Sequence, residues 1–211
     1  MKKFIITGSL SGFIVLTLLV TQIMSQHKST KVTAFNASIK YESKSDFKNA
    51  LSELQKIYSD NKNDYLINLR MGWIYYSQKE YQKSIDFYNK AISLNPASIE
   101  AKIGVTFPLS LLQKWDKVEE LYKNILQVDG GNYTANLRLG QIYLARADYM
   151  NAKKYLEKVH NYYPGEFEPN LSLGYTFYYL GNTARAKDLF TNALMLDGDN
   201  ALAKSGLNLV Q

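Results

Sequence analysis

NLRLGQIYLARADYMNAKKYLEKV, residues 136–159, holds two apolar-periodic runs, each about a dozen residues long, and that spacing predicts two helices. Thirty-four residues on, NLSLGYTFYYLGNTARAKDLFTNAL (170–194) repeats the pattern. Stepping by 34 in both directions gives columns of like residues. A small column reads Gly72, Thr106, Gly140, Gly174, and another reads Ala50, Ser84, Val118, Ala152, Ala186. Bulky columns read Leu54, Tyr88, Tyr122, Leu156, Phe190 and Tyr41, Tyr75, Leu109, Tyr143, Phe177. A further apolar column runs Ile57, Ala91, Ile125, Val159, Ala193. Helix-stopping residues recur at Pro96, Gly130, Pro164 and Gly198, and an aromatic column at Phe47, Tyr81, Trp115 and Tyr149 ends at Thr183.

These columns have physical reasons. Small residues let two helix backbones approach to the lower end of an 8–10 Å packing range. Bulky residues such as Leu139, Tyr143 and Leu156 fill the space on either side. Pro96 and Pro164 cannot continue a helix, and Gly130 and Gly198 favour its end. One such hairpin cannot bury its apolar faces, so successive hairpins must stack. The period runs without a gap through 31–64, 65–98, 99–132, 133–166 and 167–200. Residues 201–211 read as a capping helix.

The pattern resembles the tetratricopeptide repeat, over residues 31–200. That resemblance implies an all-α fold: a right-handed superhelical solenoid of tandem antiparallel helix pairs, five units plus the C-terminal capping helix. It also implies a concave face, lined by the first helix of each pair, that binds peptides or helices. The family's inward-facing columns fall on Ile39, Trp73, Phe107, Gln141 and Tyr175, then a turn later on Tyr76, Ser110, Leu144 and Tyr178, with Tyr179 beside the last. Arg70 and Arg138 occupy equivalent places two units apart and offer contacts to an acidic side chain. The surface is aromatic and mostly uncharged, and aromatic residues of this kind are over-represented at binding hot spots. Some of these rings equally suit the space between neighbouring hairpins. The family's carboxylate clamp of two Lys, two Asn and an Arg would fall on Leu69, Trp73, Gly104, Thr134 and Arg138, where only Arg138 matches.

Two departures stand out: Thr106 replaces the expected glycine, and Pro108 lies inside a helix that it should kink. Val32, Thr33 and Ile39 are weak helix formers, so the first helix is expected to fray.

Composition narrows the function. The 211 residues are 46% hydrophobic and 21% charged, with only 4 Pro, which argues for a packed chain. There is no Cys, so disulfides and thiol chemistry are excluded. Of the net charge of +6, Lys2 and Lys3 precede an uncharged N-terminal segment that reads as a targeting sequence; the remaining basic and acidic residues are interspersed, as in Lys117-Val118-Glu119-Glu120, and make no nucleic-acid surface. Glu119 and Glu120 read as outward-facing solubility residues. His27 and His160 have no companions at metal-ligand spacing, and Asp197-Gly198-Asp199-Asn200 lacks the Glu that a calcium loop requires. No catalytic residue, metal or cofactor is expected.

Residues 4–24, FIITGSLSGFIVLTLLVTQIM, are uncharged and follow Met-Lys-Lys. As a helix they would measure about 31 Å, close to a bilayer's hydrocarbon thickness. Residues 1–25 therefore read as a signal peptide or an uncleaved membrane anchor, joined through 26–30 to the repeats. Either way the body is expected outside the cytoplasm. The expected function is a non-enzymatic scaffold that binds a protein or peptide, with self-assembly through the terminal repeats as the alternative.

Overall fold

The structure, a computed structural model, describes residue 20 and residues 30–211, so the segment 1–25 expected to be a signal peptide or anchor lies outside the described residues except at that one position. Among the described residues there is no strand, and no helix is long and apolar enough to cross a membrane. The helices are α1 (30–42), α2 (Phe47–Tyr58), α3 (Tyr65–Ser77), α4 (Tyr81–Leu94), α5 (Ile99–Leu111), α6 (Trp115–Val128), α7 (Tyr133–Ala145), α8 (Tyr149–Tyr162), α9 (Phe167–Tyr179), α10 (Thr183–Leu196) and α11 (Ala201–Asn208). The chain forms two compact units, Met1–Pro96 and Ala97–Gln211. α1–α4 belong to the first and α5–α11 to the second.

One turn recurs inside the helix pairs. Ser45, Lys79, Gln113, Ala147 and Gly181 all have positive φ, between 56° and 78°. In each case the next amide reaches back five residues: Asp46 to Tyr41, Glu80 to Tyr75, Lys114 to Leu109, Asp148 to Tyr143 and Asn182 to Phe177, at 2.9–3.0 Å. This Schellman geometry satisfies the last carbonyls of the first helix and sends the chain back antiparallel. The side chains of Asp46, Asp148 and Asn182 then cap the second helix, whereas Glu80 and Lys114 in the same column make no such bond.

Between pairs, asparagine ties the connection. Asn68 Nδ2 donates to the carbonyls of Lys62 and Asp64, Asn136 to those of Gly130 and Asn132, and Asn170 to those of Pro164 and Glu166. All three are buried. The Oδ1 atoms of Asn68 and Asn170 are met by Tyr58 and His160. His160 is thus a structural partner. Leu126 holds the corresponding place before Asn136, whose Oδ1 has no partner.

Within the pairs, glycine sets the helix approach. A Cβ on Gly72 would sit 2.9 Å from the Tyr88 ring and one on Gly174 2.8 Å from Phe190; on Gly140 it would collide with Leu156. The pair α5/α6 differs. Thr106 occupies the glycine place and faces the Tyr122 hydroxyl at 3.1 Å, and α5 packs less closely on α6 than α3 on α4, α7 on α8 or α9 on α10. α5 continues through Pro108 to Leu111, so the missing amide does not end it.

The first helix departs from expectation. Residues 30–42 are helical despite Val32, Thr33 and Ile39. Ala34 is buried in the cluster with Ala50, Leu54, Ile67 and Met71, Lys31 pairs with Asp64, and Arg70 pairs with Glu42 at 2.6 Å. Tertiary contacts outweigh propensities worth only tenths of a kcal/mol per residue.

Candidate functional site

The first unit carries Arg70, Trp73 and Tyr76 on α3. Trp73 is 42% exposed, its ring 5.6 Å from Tyr76, which in turn lies 6.2 Å from Tyr81. Arg70 is committed within the molecule. Its Nε donates to Glu42 Oε1 at 2.6 Å, and its guanidinium lies 5.6 Å from the centre of the Phe35 ring. It fastens α1 to α3 rather than projecting toward a ligand.

In the second unit, Phe107 on α5 is 45% exposed and Tyr179 on α9 is 52% exposed. Tyr179 stacks on Tyr149 at 4.8 Å and meets Tyr178 edge-on at 5.2 Å, forming a three-ring platform. Tyr175 stands apart from that platform: its hydroxyl donates to the Leu202 carbonyl at 2.8 Å and its ring lies 4.9 Å from Phe190. Leu144 is half-buried and packs on the core around Leu137 and Leu173. Tyr175 and Leu144 therefore serve packing between helices. Arg138 donates to Gln141 Oε1 at 2.7 Å and lies 3.3 Å from Glu168, while Gln141 Nε2 donates to Ser172 Oγ. These contacts link α7 to α9.

The sequence pattern missed a cavity of about 560 Å³ between α5, α6 and α7. Thr106, Phe107 and Ser110 line it from α5, Trp115, Val118 and Tyr122 from α6, and Arg138, Gln141, Ile142, Ala145 and Arg146 from α7 and its end. It brings the expected Phe107, Ser110, Arg138 and Gln141 together with residues of α6 and the end of α7 that the inward-facing columns do not contain. The traces available beforehand were Thr106 and Pro108, the two departures from the repeat. Burial pushes the Tyr122 phenol above its ordinary pKa, with Thr106 and the charge of Arg138 acting the other way.

Glu119 is half-buried and paired, against the expectation that it faces solvent. Its Oε1 accepts from Lys123 Nζ and Tyr143 Oη, both at 2.6 Å, and its Oε2 accepts from Arg146. These donors, the Lys123 ammonium foremost, lower its pKa from 4.5 to about 2. Arg146 also reaches Asp116 at 3.3 Å, so Glu119 holds α6 to the end of α7. Among the described residues no group of three His, Cys, Asp or Glu side chains could hold a metal ion.

Two family models for the tetratricopeptide repeat match the chain, over residues 67–98 and 134–165. These are tetratricopeptide repeats. A comparison with curated protein sequences finds no match. Among solved structures, that of MamA aligns with a TM-score of 0.71 at 20% identity, covering 82% of this chain and 95% of MamA. YrrB, described as a TPR protein with an unusual peptide-binding site, aligns with a TM-score of 0.71 at 16% identity, covering 89% of this chain and 97% of YrrB. A tetratricopeptide repeat protein from Parabacteroides merdae gives 0.76 at 17% identity, covering 86% and 72% respectively. At these identities the likeness is one of fold: tetratricopeptide repeats packed pair on pair.

Proposed function

We propose that this chain is a protein-interaction scaffold that binds a peptide or helix on the surface carried by its first helices. The observation that carries the reading is the exposure of large aromatic residues on first helices of both units: Trp73 on α3 in the first, Phe107 on α5 and Tyr179 on α9 in the second. Aromatic side chains in such positions bring wide contact area at low entropic cost. The peptide-binding site named for YrrB, which shares the fold, supports the same reading. The uncharged segment 4–24 behind Lys2 and Lys3 supports export of the repeats, as a cleaved signal or as an anchor.

The test is crosslinking of the full chain in its native envelope, followed by the variant Trp73→Ala, Phe107→Ala, Tyr179→Ala. Loss of the crosslinked partner with an unchanged helical circular dichroism spectrum is expected. Undiminished crosslinking to the same partner would refute the reading. N-terminal sequencing of the same sample distinguishes a cleaved leader from a retained one.

Self-association is a second reading, favoured by Leu202 and Leu209, which stand seven residues apart at the last helix and are exposed. Sedimentation of residues 26–211 as a strict monomer at micromolar concentration would end it.

A further inference from the structure

We propose that the cavity between α5, α6 and α7 receives an aromatic side chain of a partner peptide whose next residue is acidic. This deepens the scaffold reading and rests on it for the source of the peptide.

The cavity arises from the chain's own irregularity. In α3/α4, α7/α8 and α9/α10 a glycine lies under Tyr88, Leu156 or Phe190 and the two helices close on each other. At α5/α6 the glycine is Thr106, and its partner Tyr122 meets it hydroxyl to hydroxyl rather than ring to backbone. The helices stay farther apart, and the space remains. A volume of about 560 Å³ lies within the range of about 300–1,000 Å³ typical of ligand pockets.

The lining specifies the guest. Thr106, Val118 and Tyr122 are buried and form the floor, while Phe107, Trp115 and Ile142 supply apolar wall. Three of these six are aromatic, and aromatic rings gain from edge-to-face or offset contact beyond area alone. The rim supplies charge. Arg146 is held by Glu119 and is not free to turn. Arg138 donates to the neutral Gln141 Oε1 at 2.7 Å, and its acidic partner, Glu168, lies 3.3 Å away, the two charged side chains being 44% and 46% exposed. Such a pair contributes little in water, so an incoming carboxylate can replace Glu168 with a better-aligned, two-pronged contact. A ring in the pocket with an acidic residue next in the chain meets both demands.

The test uses the full chain labelled with 5-fluorotryptophan. Its two tryptophans, Trp73 and Trp115, give two fluorine resonances, assigned from the spectrum of Trp73→Phe. The probes are N-acetyl-Phe-Glu-amide, N-acetyl-Phe-Lys-amide and N-acetyl-Ala-Glu-amide. Phe-Glu should shift the Trp115 resonance saturably and leave that of Trp73 in place. The other two probes should bind about tenfold more weakly, the effect of losing one charge-assisted contact or one buried ring. Arg138→Ala should bring Phe-Glu down to the level of Phe-Lys. Ala145→Phe, which fills the rim, should abolish the shift while the circular dichroism and melting temperature stay as they were. No saturable shift of Trp115, equal affinity for the three probes, or full binding by Ala145→Phe would each overturn the proposal. Envelope crosslinking that persists in those circumstances leaves the scaffold reading standing without the pocket. Binding of Phe-Glu with no crosslinked partner would do the reverse.

Discussion

The Tyr122 and Thr106 hydroxyls share a hydrogen bond at 3.1 Å, and Thr106 Oγ1 also lies 2.7 Å from the Ile103 carbonyl. The pair stands where the neighbouring hairpins place Gly72 against Tyr88, Gly140 against Leu156 and Gly174 against Phe190. The α5/α6 pair tolerates a side chain at that point because its helices are spaced for one; α7/α8 has no such room. Gly140→Leu should therefore destabilise the protein by about 3 kcal/mol through overpacking. Lys154→Ala, on an exposed position of α8, should change it by less than about 0.5 kcal/mol. Urea denaturation of both variants checks this, and a Gly140→Leu midpoint near wild type would contradict it.

Ala147 sits at φ 60° in the turn between α7 and α8, where Gly181 serves the next pair at φ 78°. A left-handed residue with a Cβ costs about 1–2 kcal/mol, whereas the extra freedom of an unfolded glycine costs about 0.5–1 kcal/mol. The first effect is larger. Ala147→Gly should raise stability by about 0.5–1 kcal/mol and Gly181→Ala should lower it, measured by thermal and urea unfolding.

Leu126 faces a different problem. Asn68 and Asn170 have their Oδ1 atoms satisfied by Tyr58 and His160, but Asn136, equally buried, does not. A buried acceptor without a partner costs about 1–3 kcal/mol. Leu126→Tyr, which restores the residue that unit 31–64 uses there, should stabilise the protein by about 1 kcal/mol. A stability below wild type would show that the ring does not reach Asn136.

Glu119 predicts a pH dependence. Its folded pKa of about 2 lies below its ordinary 4.5, so the ionised carboxylate favours the folded state. The contribution is fully present above about pH 4.5 and fades as the pH falls from there toward 2. Glu119→Gln should therefore be less stable than wild type at pH 7, with the gap constant down to about pH 5 and narrowing below. Urea midpoints across the series measure it; a gap that widened with acid would refute the assignment.

Much of the fold was legible because the columns that matter most are matched by shape. Gly140 with Leu156 and Gly174 with Phe190 read directly as close helix crossings, and they are. The left-handed turn was hidden, since Ser45, Lys79, Gln113, Ala147 and Gly181 share no chemistry. Two backbone hydrogen bonds impose their common conformation, and the side chains record nothing of it. The site was less legible still. A column position indicates a direction and leaves the partner open: Arg70 found Glu42, Tyr175 found Leu202 and Glu119 found three donors. Apart from Lys123, four residues on from Glu119, those partners lie 24 to 28 places away, beyond the reach of any local pattern.

A linear array in which every hairpin rests only on its neighbours fails first at its loosest rung. Within the second unit that rung is α5/α6, where threonine keeps the helices apart. Amide protons of α5 should accordingly trade with solvent sooner than those of α7 and α9, and a guest seated beside Trp115 would slow that exchange from the outside, so that recognition and local breathing become two readings of the same gap.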